Sequence, residues 1–142
     1  MRPALFDTSV YISALRQGHN AVLALRRLTP DAPLWLSAVV LEELYAGVGD
    51  RDRPVIERLE RDMNKINRLL VPNLSDWTQA GKALNFLAAK YHFDKIGRGR
   101  LTNDALIATS AGRMGIRVFT TNARDFSRLA EFRPFEWEVT AV

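Results

Sequence analysis

The sequence has no cysteine, only two histidines, and no apolar run near the roughly 20 residues that a membrane-spanning helix needs. Without thiols there is no thiolate nucleophile, no disulfide framework and no cysteine-based zinc site, and a reducing compartment is favoured. The apolar start of the chain is broken by Asp7, and no small-residue cleavage site follows a longer apolar run, so no secretory signal is read there. Internal repeats, low-complexity tracts and Pro/Gly/Ser linkers are also missing. Residues 1–142 therefore read as a single domain of a cytoplasmic protein, with enough apolar residues (47%) to bury a core unaided. Lysine is scarce as well. Sixteen of the twenty basic residues are arginine, in a chain of net charge +4. Arginine suits bidentate phosphate contacts and stacking on bases, which points toward nucleic acid, although a solvated surface accounts for so modest a charge equally well.

What the chain does contain alternates. Pro-Ala-Leu-Phe at 3–6 reads as a short buried strand, followed by helices over 9–16 and 21–28. "PLWLS" at 33–37 is a second strand, and Ser37 caps a helix ending near Gly47 or Gly49. Residues 54–70 form an amphipathic helix with Val55, Ile56, Leu59, Met63, Ile66 and Leu70 on one stripe, stopped by Pro72. Ser75 caps a helix over 76–91 whose inward residues are Trp77, Ala80, Leu84, Leu87 and Tyr91. "DKIGRGR" at 94–100 reads as a flexible basic loop, after which Thr102 or Asn103 caps a helix closed by Gly115. "IRVFTT" at 116–121 is the clearest strand, and the alternation in "PFEWEV" marks a half-exposed edge strand. Strands alternating with helices predict a three-layer α/β/α sandwich with a mostly parallel central sheet.

Acids fall at one edge of that sheet. Asp7 ends the first strand, Glu42 and Glu43 lie in the helix after the second, Asp104 opens a later helix, and Asn122 and Asp125 follow the clearest strand. Each has an ordinary explanation as a cap, a dipole partner or a turn residue. Together they exceed what turns need. Carboxylates packed this way repel, so either their pKa values rise or a cation joins them. An all-oxygen set with no Cys or His suits Mg²⁺ or Mn²⁺. Helical spacing does not choose between Glu42 and Glu43, which flank the apolar stripe on opposite sides.

The segments "LFDTSV", "SAVVLEELYAG", "LTNDALIATSAGRMG" and "VFTTNARDF", in this order and spacing, resemble the PIN-domain ribonucleases, and within them the VapC-type toxins of toxin–antitoxin pairs. The resemblance runs from Pro3 to about Phe126. It implies a PIN-like fold and catalytic, metal-binding positions at Asp7, Glu43 (the glutamate of the E-L-x-x-G pattern), Asp104 and Asp125. Thr8, Ser9, Thr120 and Asn122 take supporting places. Family members differ over whether the fourth acid stands at the position of Asn122 or that of Asp125. The implied activity is endonucleolytic hydrolysis of tRNA, rRNA or mRNA by water activated on carboxylate-bound Mg²⁺ or Mn²⁺, leaving 5′-phosphate and 3′-hydroxyl ends. Lys95, Arg98, Arg100 and Arg124 are the candidate RNA contacts. A homodimer and a cognate VapB-type antitoxin are the implied partners, with apolar grooves for the antitoxin supplied by the 54–70 and 76–91 helices.

Two other readings compete. "LFDTS" is also similar to the nucleophile strand of haloacid-dehalogenase-type phosphohydrolases, but a second aspartate is wanted where Ser9 stands, and no lysine lies between residues 96 and 142. A catalytically inactive PIN-fold module that binds RNA or a partner is the other alternative. Asp7, Glu43 and Asp104 argue against it, and a divalent-metal requirement lost on neutralising one of them separates the two.

Overall fold

Strand β1 (Ala4–Phe6) is three apolar residues long and fully buried, and it forms the middle of a parallel sheet. On one side it pairs with β2 (Leu34–Ser37), which pairs with β3 (Leu69–Leu70). On the other it pairs with β4 (Arg117–Thr120), which pairs with β5 (Trp137–Val139). The order is β3-β2-β1-β4-β5, with every pair parallel. Strands covered on both faces by crossover helices carry continuous apolar runs, as "ALF" and "VF" do here. The computed structural model describes residues 2–92 and 95–140, with the side chains of Leu23, Arg26 and residues 95–100 outside the description. Its helices are α1 (Thr8–Gln17), α2 (His19–Ala24), α3 (Ala38–Gly47), α4 (Arg53–Lys65), α5 (Leu74–Tyr91), α6 (Lys95–Met114) and α7 (Ala123–Phe132). The architecture is the expected α/β/α sandwich. No helix among the described residues is long and apolar enough to cross a membrane.

Chain order decides where a crevice opens. The chain steps outward from β1 to β2 to β3, then returns to the far side of β1 as β4. The gap between the carboxyl ends of β1 and β4 is therefore the topological switch point, where two connections leave in opposite directions. Behind it the core is sealed by Phe6, whose ring lies 5.9 Å from Tyr11 edge-on and 5.8 Å from Phe119.

Four local expectations are corrected. The 54–70 helix stops at Lys65, because Asn67 adopts φ +60° and the Arg68 N–H turns back to the Met63 carbonyl at 3.0 Å. Leu69 and Leu70 then pair with Leu36 and Ser37 as β3, while Ile66 is half exposed. The helical spacing of 66 and 70 with the earlier stripe is coincidental. The 76–91 helix begins at Leu74, capped by Asn73 and not Ser75. Asn73 Oδ1 accepts the Asp76 N–H, and Asp76 Oδ2 accepts the Asn73 N–H, both at 2.9 Å. The buried stripe is accordingly Asp76, Ala80, Ala83 and Leu87, and Trp77, one position off it, is exposed. The 21–28 helix is α2 followed by a 3₁₀ turn at Leu25–Leu28. The 94–100 segment is helix from Lys95 onward, so Thr102 and Asn103 are interior to α6, and its end at Gly115 (φ +66°) is as expected. Gly97 and Gly99 read as breakers, yet each costs a helix only about 1 kcal/mol, which a long packed helix absorbs.

Helices α5 and α6 are joined by a buried charge. Asp76 is 2% exposed and accepts from Arg113 Nε and Nη2, each at 2.9 Å, while also closing the α5 cap. Replacing Asp76 with alanine strands the guanidinium and the Asn73 N–H together. The expected loss is about 3 kcal/mol in urea denaturation. A loss below about 1 kcal/mol would contradict this role for the pair.

Candidate active site

Asp7 is the first residue past β1, and its backbone extends the ladder by donating its N–H to the Phe119 carbonyl at 2.8 Å. It is also the N-cap of α1, with Oδ1 accepting the Thr8 N–H at 2.8 Å. Its other oxygen, Oδ2, accepts two hydroxyls: Ser9 Oγ at 2.9 Å and Thr120 Oγ1 at 2.8 Å. Both hydroxyls receive backbone N–H groups from the turn after β4, Thr121 to Ser9 at 3.2 Å and Asn122 to Thr120 at 2.9 Å. A hydroxyl that accepts an N–H on one side turns its own hydrogen the other way, here onto Asp7.

Glu43 reaches the same place from α3. Ser37 ends β2 and caps α3, its Oγ accepting the Val39 N–H at 3.1 Å, which launches the helix from the sheet edge. Glu43 is half-buried and its Oε1 accepts Thr8 Oγ1 at 2.7 Å, whereas Glu42 is exposed. Thr8 thus touches two acids, Asp7 through its backbone and Glu43 through its side chain. Asp104, in α6, faces Asn122 Nδ2 at 3.5 Å. The same amide nitrogen donates to Asp125 Oδ2 at 2.9 Å, while Asn122 Oδ1 caps α7 by accepting the Asp125 N–H at 3.4 Å. Asn122, not Asp125, caps that helix.

The electrostatics show these acids sensing one another. Burial pushes the Asp104 carboxyl up to about 8, and the charges of Asp7, Glu43 and Asp125 add to the shift. The set is all oxygen and short of positive charge, which is the chemistry of a hard divalent cation's ligands. Among the described residues, no three acids or histidines are drawn into a ready-made cage. Asp7, Glu43 and Asp125 each hold protein donors instead.

The proposed RNA contacts are placed less fully. Arg124 is largely exposed and lies 3.5 Å from Asp125 Oδ1. Lys95, Arg98 and Arg100 lie in the opening turns of α6 ahead of Asp104, and their side chains fall outside the described residues. Sequence reasoning missed the Thr8–Glu43 bond and the two backbone donors at 121 and 122. The only signal for them was the run of hydroxyl residues in "DTS" and "TTN".

A parallel α/β/α sandwich with carboxylates gathered at its switch point defines a class of protein whose acidic crevice lies at the carboxyl edge of the sheet. The chain belongs to the PIN domain family, whose profile matches residues 4–132. Solved structures of similar fold include a DNA-bound VapBC from Salmonella typhimurium, with TM-score 0.68, 21% identity and 98% of both chains covered. VapBC-1 from nontypeable Haemophilus influenzae aligns with TM-score 0.64 and 20% identity over 96% of each chain. VapBC-5 from Mycobacterium tuberculosis, a member of the VapBC family of toxin–antitoxin systems, gives TM-score 0.59 and 21% identity over 100% of each. No curated protein matches the sequence.

The raised Asp104 carboxyl has a consequence for stability in metal-free protein. An unfolded aspartate ionises near 4, whereas in the fold Asp104 holds its proton up to about 8. Its contribution is therefore fully present below pH 4 and is lost as pH rises toward 8. Asp104→Asn removes this dependence. In EDTA the variant should gain on wild type by roughly 2–4 kcal/mol between pH 4 and pH 8.5, measured by urea denaturation. A constant difference across that range would refute it.

Proposed function

We propose that the chain is a metal-dependent endoribonuclease of the VapC type, a cytoplasmic toxin silenced by a VapB-type antitoxin. The observation that carries this reading is the set of bonds at the carboxyl edge of the sheet that links Asp7 with Glu43 through Thr8 and Asp104 with Asp125 through Asn122. PIN family membership and the fold shared with VapBC proteins support it. Asp7, Glu43 and Asp104 are the residues that would hold Mg²⁺ or Mn²⁺. When bound, such an ion polarises water and phosphodiester oxygens and neutralises charge on the leaving group.

The chain's own residues do the rest. Ser9, Thr120 and the Thr8 N–H fix the plane of Asp7, and Thr8 fixes Glu43, so neither acid spends binding energy on reorientation. Arginines beyond the acidic edge, Arg124 among them, and the basic start of α6 would carry the phosphate backbone, which four carboxylates alone would repel. A homodimer and an antitoxin segment covering the crevice complete the reading.

The test is to incubate the antitoxin-free protein with total cellular RNA and Mn²⁺ or Mg²⁺. Discrete fragments with 5′-phosphate and 3′-hydroxyl ends are expected, absent in EDTA and reduced at least about 100-fold in Asp104→Asn. Equal cutting by wild type and variant would overturn the assignment. RNA retained without cleavage would favour the inactive binding module instead.

A further inference from the structure

Helices α5 and α7 pack side by side, and the surface they share leads away from the acids with cations and rings in alternation. Lys82, Phe86 and Lys90 recur every four residues along α5 and are exposed together as one stripe. On α7, Arg124 stands beside Asp125, and Arg128 follows Arg124 by one helical turn, about 5.4 Å. Rings join the two helices. Phe86 lies 5.7 Å from Phe132, and the Arg128 guanidinium sits over the Tyr91 ring, 4.1 Å from its centroid. The acids of α5 and α7 are Asp76, Asp125 and Glu131, and each is already engaged. Asp76 is buried against Arg113, and Asp125 accepts the Asn122 amide at 2.9 Å. Glu131 accepts both Lys90 Nζ and the Tyr91 hydroxyl, and the Lys90 bond holds its carboxyl below the usual range.

A ring anchored at its hydroxyl and covered by a guanidinium is a flat, rigid and cationic surface. Joining α5 to α7 does not require it, because the Glu131 bonds already do so. A nucleobase does fit it: the π-face of any base stacks on a guanidinium or an aromatic ring, while its phosphates meet the neighbouring cations. We propose, resting on the RNA-cutting reading, that Tyr91 and Arg128 form a stacking platform for an unpaired base of single-stranded RNA beside the scissile phosphate. The strand continues from the platform along the α5–α7 surface, its phosphates passing Lys90 and Lys82. A strand held at Asp125 meets Arg124 first and Arg128 one turn on, so the platform reads a base flanking the cut. Arg128 is then a specificity-determining residue outside the acidic crevice. It selects loops and single strands over duplexes, whose bases stay stacked on one another.

The test is fluorescence anisotropy of the full chain in EDTA, with two labelled probes of about 12 nucleotides. One is oligoriboadenylate, and the other is an abasic ribose-phosphate strand of equal length. Wild type should bind the adenylate at least about fivefold more tightly than the abasic strand. Arg128→Lys keeps the charge and removes the planar face, so it should lose most of that preference with abasic binding within about twofold. Arg128→Ala should lose the preference as well. Lys82→Ala should weaken both strands alike and flatten the salt dependence. Circular dichroism and urea denaturation check that α7 stays docked in each variant. Equal affinity of wild type for the two strands, an Arg128→Lys variant that keeps the preference, a Lys82→Ala variant that binds as wild type does, or no binding to either strand would each overturn the proposal. Cleavage with Mn²⁺ run in parallel separates it from the reading it rests on. The stated preferences without cutting uphold the platform and not the ribonuclease. Cutting by a protein that binds both strands equally does the reverse.

Discussion

The β1–β4 pairing is the constraint on which the site depends. Phe6 lies opposite Phe119, and the Asp7 N–H continues the ladder onto the Phe119 carbonyl at 2.8 Å. Asp7 and Thr120 are therefore set side by side by backbone hydrogen bonds before either side chain is considered. A slip of one residue would exchange the faces of every side chain on the strand, burying Asp7 among core residues or turning Phe6 out of them. Because Phe6 is fully buried between Tyr11 and Phe119, the core enforces the register that the carboxylate requires.

Onto that fixed pair the rest is hung from helices. Helix α3 brings Glu43 from the end of β2, and α6 brings Asp104 from a body anchored to α5 by the Asp76–Arg113 pair. The gathering of like charges is unfavourable, and at Asp104 it adds to burial in pushing the carboxyl up to about 8. Groups so poorly compensated in a well-packed fold persist where the arrangement serves a purpose other than stability.

Much of this was legible in the sequence, for physical reasons that differ by residue. Strands buried on both faces carry continuous apolar runs, so "ALF" and "VF" declared themselves, as did the glycine closing α6. The edge position of "WEV" followed from its alternating glutamates. The two-residue strand β3 was hidden because Leu70 happens to fall on the helical period of α4, and only the left-handed turn at Asn67 separates them. Trp77 was misplaced because its bulk suggests a core residue, when the capping box at Asn73 and Asp76 had already set which face turns inward. At the site, residue types revealed the acids but not the bonds between them. The choice between Glu42 and Glu43 needed the resemblance, and the Thr8–Glu43 bond joins residues 35 apart in sequence and leaves no local trace.

The Asp7–Thr120 bond spans 113 residues, almost the whole chain. The aspartate follows β1 and the hydroxyl that orients it ends β4, so the bond forms only when these two distant strands have paired. A chain in which β4 has not yet docked carries Asp7 without the Thr120 hydroxyl that fixes its plane. For a protein proposed to cut RNA, that dependence is a safeguard: the crevice comes into being only with the long-range pairing that completes the sheet.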